Sequence, residues 1–265
     1  MTFRPLCLTV LLLLLLGLPK PVAAQRTFAV IVGVSDYLVG QPGKGDLQFS
    51  DDDARSFHAL LRSPAGGSVP DEHIRVLIDR RATRTNVLQA LTIFRQATRE
   101  DRVIFYFSGH GERGMFLPYD YGTSQTATLW HEDIKAAFLR SQAGTKFLLA
   151  DACMAGTMKK RNAQPHPVVA ANSPLHNPES KVVIILSSQD KEYSRETADL
   201  KQGAFTFYLV EGAKGAADDN KDGVVSIREV SLYVYRKLKD KTNKKQKPRV
   251  IGQFDENMPF MAVRY

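Results

Sequence analysis

The sequence predicts an α/β fold in which a mostly parallel central sheet is sandwiched between helices. Apolar, β-branched runs typical of buried strands recur at Thr27–Val34, Ile74–Ile78, Val103–Phe107, Phe147–Ala150 and Val182–Leu186. Segments with helical periodicity lie between them, and this alternation is typical of a parallel sheet covered on both faces. The carboxyl ends of such strands meet at one sheet edge, where ligands bind in open α/β folds.

The predicted helices follow from apolar residues that recur every three or four positions and so share one helical face. They cover Asp53–Leu61, Asn86–Ala97, Asp133–Leu139, Phe205–Ala213 and Ile227–Leu238. The stretch from Gly156 to Ser180 is rich in proline and fits neither pattern. A loop of that length is uncommon in a compact domain and is usually functional or disordered.

Composition indicates an ordinary globular protein. The chain has 265 residues, of which 43% are hydrophobic and 24% charged, and this balance argues against disordered and fibrous classes. The net charge is +8, and much of the excess lies between Arg236 and Arg249. Since no aromatic residues interleave with this lysine-rich stretch, the sequence gives no strong case for nucleic-acid binding.

Residues 1–24 have the features of a secretory signal peptide. Arg4 supplies a positive start, Leu6–Leu18 is apolar, and small residues precede a cleavage point at Gln25. The apolar run is shorter than the roughly 20 residues of a transmembrane helix, although an uncleaved signal anchor is the alternative. We therefore expect an exported protein, periplasmic or extracellular, without a membrane span after signal removal.

The rest of the chain, residues 25–265, is predicted to form one domain in two halves. The first half covers 25–155, the proline-rich loop covers 156–180, and the second half covers 181–265. Cys7 leaves with the signal, so Cys153 is the one thiol of the mature chain and an internal disulfide is impossible. One cysteine and scattered histidines also give no zinc-ligand spacing.

Two reactive side chains follow predicted strands. His110 lies in Ser108-Gly-His-Gly111, and Cys153 lies in Asp151-Ala-Cys-Met-Ala-Gly156. If the two strands are neighbours, both side chains project from one sheet edge, and a nearby imidazole raises the reactivity of a thiol. The alternatives are an inert buried cysteine and a loop histidine whose hydrogen bonds are satisfied locally.

Three segments resemble the caspase-like cysteine peptidases, most of all the metacaspase-like and bacterial caspase-like branch. They are Val30-Ile-Val-Gly-Val34, Phe105-Tyr-Phe-Ser-Gly-His-Gly111 and Leu148-Leu-Ala-Asp-Ala-Cys-Met-Ala-Gly156. The resemblance extends from Phe28 to Val263 and includes Gly203-Ala-Phe-Thr-Phe-Tyr-Leu and Gln246-Lys-Pro248. It implies a caspase-like fold and a dyad that cleaves peptides or proteins, with Cys153 as nucleophile and His110 as general base and acid. It also implies an oxyanion hole built from the backbone N–H groups of Gly111 and Cys153.

The same resemblance implies a pocket for a basic P1 residue, formed by Asp53 and Asp151. The alternative for the Asp51–Asp53 triplet is a helix start favoured by the helix dipole. The proline-rich loop contains Lys159, Lys160 and Arg161 but no Asp between Thr157 and Ser180, so an Arg/Lys-specific enzyme could process itself there. The rival functions are a caspase-fold scaffold without chemistry and a transpeptidase that uses the same dyad.

A calcium-loop motif lies in the second half. The segment from Asp218 to Glu229 matches D-x-[DN]-x-[DN]-G-x5-E, whose oxygen ligands suit Ca²⁺. The predicted ligands are Asp218, Asn220, Asp222, the Val224 carbonyl, Ser226 and Glu229. The alternative is an Asp/Asn/Gly-rich turn that binds no metal. Many metacaspase-like peptidases respond to Ca²⁺, so the resemblance implies that the ion could be an activator, although the activating site need not be this loop.

Overall fold

The computed structural model describes residues 25–39, 46–112, 114–152, 182–187, 196–197 and 199–262. The predictions for the signal peptide, for Cys153 and for the proline-rich loop lie outside these residues.

Helices separate most strands of the first half, although β3 to β6 follow one another directly. The strands are β1 (Thr27–Gly33), β2 (Ile74–Ile78), β3 (Arg102–Ser108), β4 (Gly111–Glu112), β5 (Met115–Phe116), β6 (Leu129–Trp130), β7 (Thr145–Asp151), β8 (Val182–Leu186), β9 (Glu196–Thr197), β10 (Gln202–Gly203), β11 (Val224–Ser226), β12 (Arg249–Ile251) and β13 (Pro259–Ala262). The helices are α1 (Ser50–Arg62), α2 (Arg84–Ala90), α3 (His131–Arg140), α4 (Ala204–Glu211) and α5 (Ile227–Lys241).

The central sheet has six strands in the order β12-β8-β7-β3-β1-β2. Strands β2, β1, β3, β7 and β8 run parallel, and β12 adds an antiparallel edge. Every residue of β1 and β3 is buried, as expected of strands covered on both faces. The predicted mostly parallel sheet and its five strands are therefore confirmed.

Two helical layers cover the sheet and build separate cores. Phe94 and Phe138, the latter from α3, pack on one face, while Phe57 of α1, Phe205 of α4 and Val234 of α5 pack on the other. No helix among the described residues is long and apolar enough to cross a membrane.

Two predicted helices change form along their length. The helix predicted over Asn86–Ala97 is α2 followed by a 3₁₀ helix over Leu91–Gln96. The tighter winding lets Leu91 and Phe94, three residues apart, share the buried face. The helix predicted over Phe205–Ala213 ends as α4 at Glu211, and a π-helical turn over Gly212–Ala216 follows, because glycine weakens an α-helix.

An ion pair between Arg26 and Asp101 lies at the amino-terminal edge of the sheet. Asp101 is 2% exposed and accepts hydrogen bonds from Arg26 Nη2 at 2.7 Å and from the Thr98 N–H at 2.8 Å. Burial alone would raise the pKa of Asp101, but the hydrogen bonds from Arg26 and Thr98 outweigh it and hold the pKa well below its usual range. This edge lies opposite the strand ends that carry the candidate site.

Candidate active site

The ends of β3 and β7 lie side by side. In the parallel register Ser108 pairs with Asp151, and the Gly109 N–H donates to the Asp151 carbonyl oxygen at 3.2 Å. His110 is therefore the second residue beyond one member of a paired strand end. Cys153 is the second residue beyond the other member in sequence, and it lies outside the described residues.

Tyr37, which follows β1, contacts His110 directly. The two rings are stacked with centroids 5.1 Å apart, and the His110 N–H donates to the Tyr37 hydroxyl at 2.7 Å. A Cβ at Gly109 would lie 3.0 Å from that hydroxyl and 2.9 Å from Phe107 Cζ, so glycine allows the close approach. Burial raises the pKa of Tyr37 well above its usual range, which keeps the hydroxyl neutral. Tyr37 was not among the site residues predicted from the sequence, although its position after the end of β1 could have indicated it.

Asp53 and Asp151 converge from different elements of the fold. Asp53 lies in the first turn of α1 and is 1% exposed, and Asp151 ends β7 and is 5% exposed. A Cβ built on Gly203 would lie 2.6 Å from Asp53 Oδ2 and 2.4 Å from Asp151 Oδ2. Both carboxylates thus pack against the same glycine.

Neutral donors hold the two carboxylates. Ser108 Oγ donates to Asp53 Oδ2 at 2.8 Å, and the Gly203 N–H donates to Asp53 Oδ1 at 2.8 Å. Thr206 donates to Asp151 Oδ2 through its hydroxyl at 2.9 Å and its N–H at 3.1 Å. These bonds fix the position of each carboxylate.

The carboxylates also complete the start of α4. Gly203 is the N-cap of this helix and has no side chain to satisfy the first N–H groups. Asp151 accepts the Thr206 N–H instead, at the end of the helix where the dipole favours negative charge. Burial and then the charges of Asp53 and Asp151 raise the pKa of Tyr106 well above its usual range.

The other two aspartates of the triplet have different partners. Asp51 exchanges hydrogen bonds with Ser35 and pairs with Arg55 on the next turn of α1. Asp52 is exposed and lies near the same arginine. Of the three, Asp53 faces the strand ends, while Asp51 and Asp52 have the helix-start role that the sequence left open.

The calcium-loop motif forms an exposed turn between the π-helical turn and α5. Asp218 Oδ2 accepts the Gly223 N–H at 3.1 Å, and Asp218 Oδ1 is buried without a hydrogen-bond partner. Glu229 accepts hydrogen bonds from the Ser226 hydroxyl at 2.7 Å and N–H at 2.9 Å, which caps α5. Among the described residues, no group of three His, Cys, Asp or Glu side chains is arranged to hold a metal ion.

Comparison with known proteins identifies the family. A model of the caspase domain matches residues 26–257. A protein from Geobacter sulfurreducens, solved as a structural-genomics target, superposes with a TM-score of 0.63 at 16% identity, over 90% of this chain and 100% of that one. Caspase-1 from Spodoptera frugiperda superposes with a TM-score of 0.62 at 12% identity, over 91% of each chain. No curated protein matches the sequence. The resemblance seen in the sequence is thereby confirmed, and the chain belongs to the caspase-domain family.

Proposed function

We propose that this protein is a cysteine endopeptidase in which Cys153 is the nucleophile and His110 the general base and acid. The observation that carries the proposal is the hydrogen bond from the Gly109 N–H to the Asp151 carbonyl. It ties together the two strand ends from which the imidazole and the thiol emerge, and parallel neighbours present both at one sheet edge.

The reaction divides between these two groups. His110 takes the thiol proton, and the sulfur of Cys153 bonds to the scissile carbonyl carbon. As the C–N bond breaks, the imidazolium gives that proton to the leaving amine. Water then attacks the thioester carbon with His110 as base, which releases the acid and restores the thiol.

The β4–β5 hairpin supports the proposed oxyanion hole. The Leu117 N–H donates to the His110 carbonyl at 2.9 Å, and Gly111 pairs with Phe116. In this ladder Gly111 and Phe116 form a non-hydrogen-bonded pair, so the Gly111 N–H points away from β5. Its direction suits a donor to a tetrahedral oxyanion, beside the N–H of Cys153.

We propose that the substrate has Arg or Lys at P1. Asp53 and Asp151 pack against the same glycine, which brings two carboxylates close together, and paired carboxylates favour a nearby cation. The same preference would allow self-processing after Lys159, Lys160 or Arg161.

We further propose that residues 218–229 bind Ca²⁺ and that the ion stimulates the peptidase. The motif match and the unpartnered Asp218 Oδ1 support the site. To bind the ion, Glu229 would have to give up its hydrogen bonds from Ser226, which cap α5, and coordinate Ca²⁺ instead. Export through the signal peptide at residues 1–24 remains part of the proposal.

The test is hydrolysis of fluorogenic peptides that end in Arg, Lys or Asp by the purified full chain, with and without Ca²⁺. We expect turnover of the Arg and Lys peptides, and none by Cys153→Ala at unchanged thermal stability. Faster turnover of the Asp peptide would contradict the pocket. Turnover by Cys153→Ala would contradict the dyad, and absence of turnover by every form of the protein would favour the scaffold. Capture of an added amine in place of water would identify a transpeptidase.

A further inference from the structure

A buried polar chain connects the end of α5 to the residue before Cys153. Its members are Gln246, Ser187 and Ala152, each no more than 1% exposed. A buried amide or hydroxyl costs folding free energy unless it is hydrogen-bonded, so the chain is built around specific bonds.

Ser187 extends the sheet pairing to Ala152, the residue before Cys153 in the sequence. Its N–H donates to the Ala150 carbonyl at 2.9 Å, one step beyond the last register pair, Ala150 with Leu186. Its hydroxyl accepts the Ala152 N–H at 3.2 Å and donates to the Ala152 carbonyl at 3.3 Å. One hydroxyl therefore binds both backbone groups of the residue before the thiol.

Gln246 holds Ser187 from the other side. Its side-chain Nε2 donates to the Ser187 carbonyl at 3.0 Å, and its N–H donates to Thr242 Oγ1 at 3.0 Å. Thr242 Oγ1 in turn donates to the Leu238 carbonyl at 2.6 Å in α5. The position of Ser187 is thus set by the carboxyl end of a packed helix.

Strand β3 holds the residue before Ala152 from the opposite side. The Asp151 carbonyl accepts the Gly109 N–H at 3.2 Å from the β3 side, while Ala152 is held by Ser187 from the β8 side. Two successive residues before Cys153 are fixed from opposite directions, one by the His110 turn and the other by Ser187.

We propose that Ser187 and Gln246 are positioning residues for Cys153. They fix Ala152, the residue before Cys153, relative to the strand end that precedes His110, and do not touch the substrate. This inference rests on the proposed function. Because Asp53 and Asp151 are held separately by Ser108, Gly203 and Thr206, loss of the chain should impair the chemical step more than substrate binding.

The test compares Ser187→Ala and Gln246→Met with Ser141→Ala in the full chain. Ser141 is a matched control because it is also buried, and its hydroxyl donates to the Phe94 carbonyl at 2.7 Å, away from the strand ends. We expect kcat to fall about 10- to 100-fold in the first two variants, as for small misplacements of reacting groups. KM should stay within about twofold, and Ser141→Ala should keep its kcat.

A second readout does not depend on proteolysis. The rate at which iodoacetamide alkylates Cys153 at pH 7 is followed by mass spectrometry of the peptide that carries it. We expect this rate to fall about fivefold or more in Ser187→Ala and Gln246→Met, because a thiol displaced from the imidazole returns to its ordinary, mostly protonated form. Gln246→Met conserves volume, so it reports on positioning even if Ser187→Ala unfolds.

The outcomes separate the two proposals. Normal kcat and normal alkylation in both variants, or an equal loss in Ser141→Ala, would overturn the positioning role while the peptidase stands. A wild-type chain that cleaves no peptide would overturn the proposed function, and the alkylation rates would then decide the positioning role alone.

Discussion

Gly203 is the position where a single methyl group should disturb the candidate specificity pocket most directly. Its added Cβ would lie 2.4 Å from Asp151 Oδ2 and 2.6 Å from Asp53 Oδ2. Ordinary contact begins near 3.4 Å, so Gly203→Ala forces these oxygens to retreat by about 1.0 Å (3.4 − 2.4) and 0.8 Å (3.4 − 2.6). The bonds from Thr206 and Ser108 would stretch or break.

The cost follows from those bonds. Hydrogen bonds to charged groups contribute about 1.5–3 kcal/mol each, and overpacking adds about 1–3 kcal/mol. With one such bond lost, we therefore expect the free energy of unfolding to fall by about 2.5–6 kcal/mol, which lowers Tm by roughly 5–24 °C in a domain of this size. For Arg peptides, kcat/KM should fall about 10- to 100-fold. This corresponds to a loss of about 1.4–2.7 kcal/mol from the contact between the P1 cation and the two carboxylates, at about 1.4 kcal/mol per tenfold change.

The assay is thermal unfolding together with peptide hydrolysis well below Tm. Gly212→Ala at the other end of α4 is the control, because its Cβ would meet the movable ring of Tyr233 at 3.0 Å and no carboxylate. If Gly203→Ala kept its Tm within about 2 °C and its activity within twofold, the packing of both carboxylates against this glycine would be refuted.

Three further substitutions test separate parts of the account. Asp101→Asn should lower the free energy of unfolding at pH 7 by about 1.5–3 kcal/mol. The folded pKa of Asp101 is depressed, so its contribution is complete above the unfolded pKa of about 3.9 and is lost as the pH falls below that value. On acid titration, the variant should therefore lose less stability in this pH range than the wild type. Ser108→Ala should lower kcat/KM for Arg peptides about tenfold by releasing Asp53, and an unchanged value would contradict its role. Asp218→Ala should abolish Ca²⁺ binding in calorimetry, whereas Asp219→Ala, at a position the motif leaves undefined, should not; equal binding by both would contradict the calcium loop.

The sheet could be predicted from sequence because buried parallel strands need nearly continuous apolar runs. Strands β1, β2, β3, β7 and β8 each have such a run and were predicted. The position of His110 just after the end of β3 followed from the same pattern. The short strands were missed. Strands β4 to β6 and β9 to β11 have two or three residues each, which is too short for a period of two to be recognised.

The supporting residues of the site were harder to find, because their partners are distant in sequence. Nothing local marks Ser187, and the family resemblance included Gln246 without giving it a role. That role depends on the hydrogen bond between the two residues, which spans 59 positions. The resemblance to a family identified Asp53 within an aspartate triplet, while composition alone could not separate it from Asp51. Gly203 stands between two carboxylates that come from α1 and β7, and that closeness exists only after folding.

The central claim is that His110 activates Cys153 in a pocket for a basic P1 residue. An Arg-terminated peptidyl chloromethyl ketone tests it directly, because the sulfur displaces chloride and leaves a stable thioether. Mass spectrometry should locate the added mass on the peptide that carries Cys153, with labelling slowed about 10²- to 10⁴-fold in His110→Ala. Labelling that is indifferent to His110, or that proceeds faster with the Asp-terminated reagent, would contradict the account.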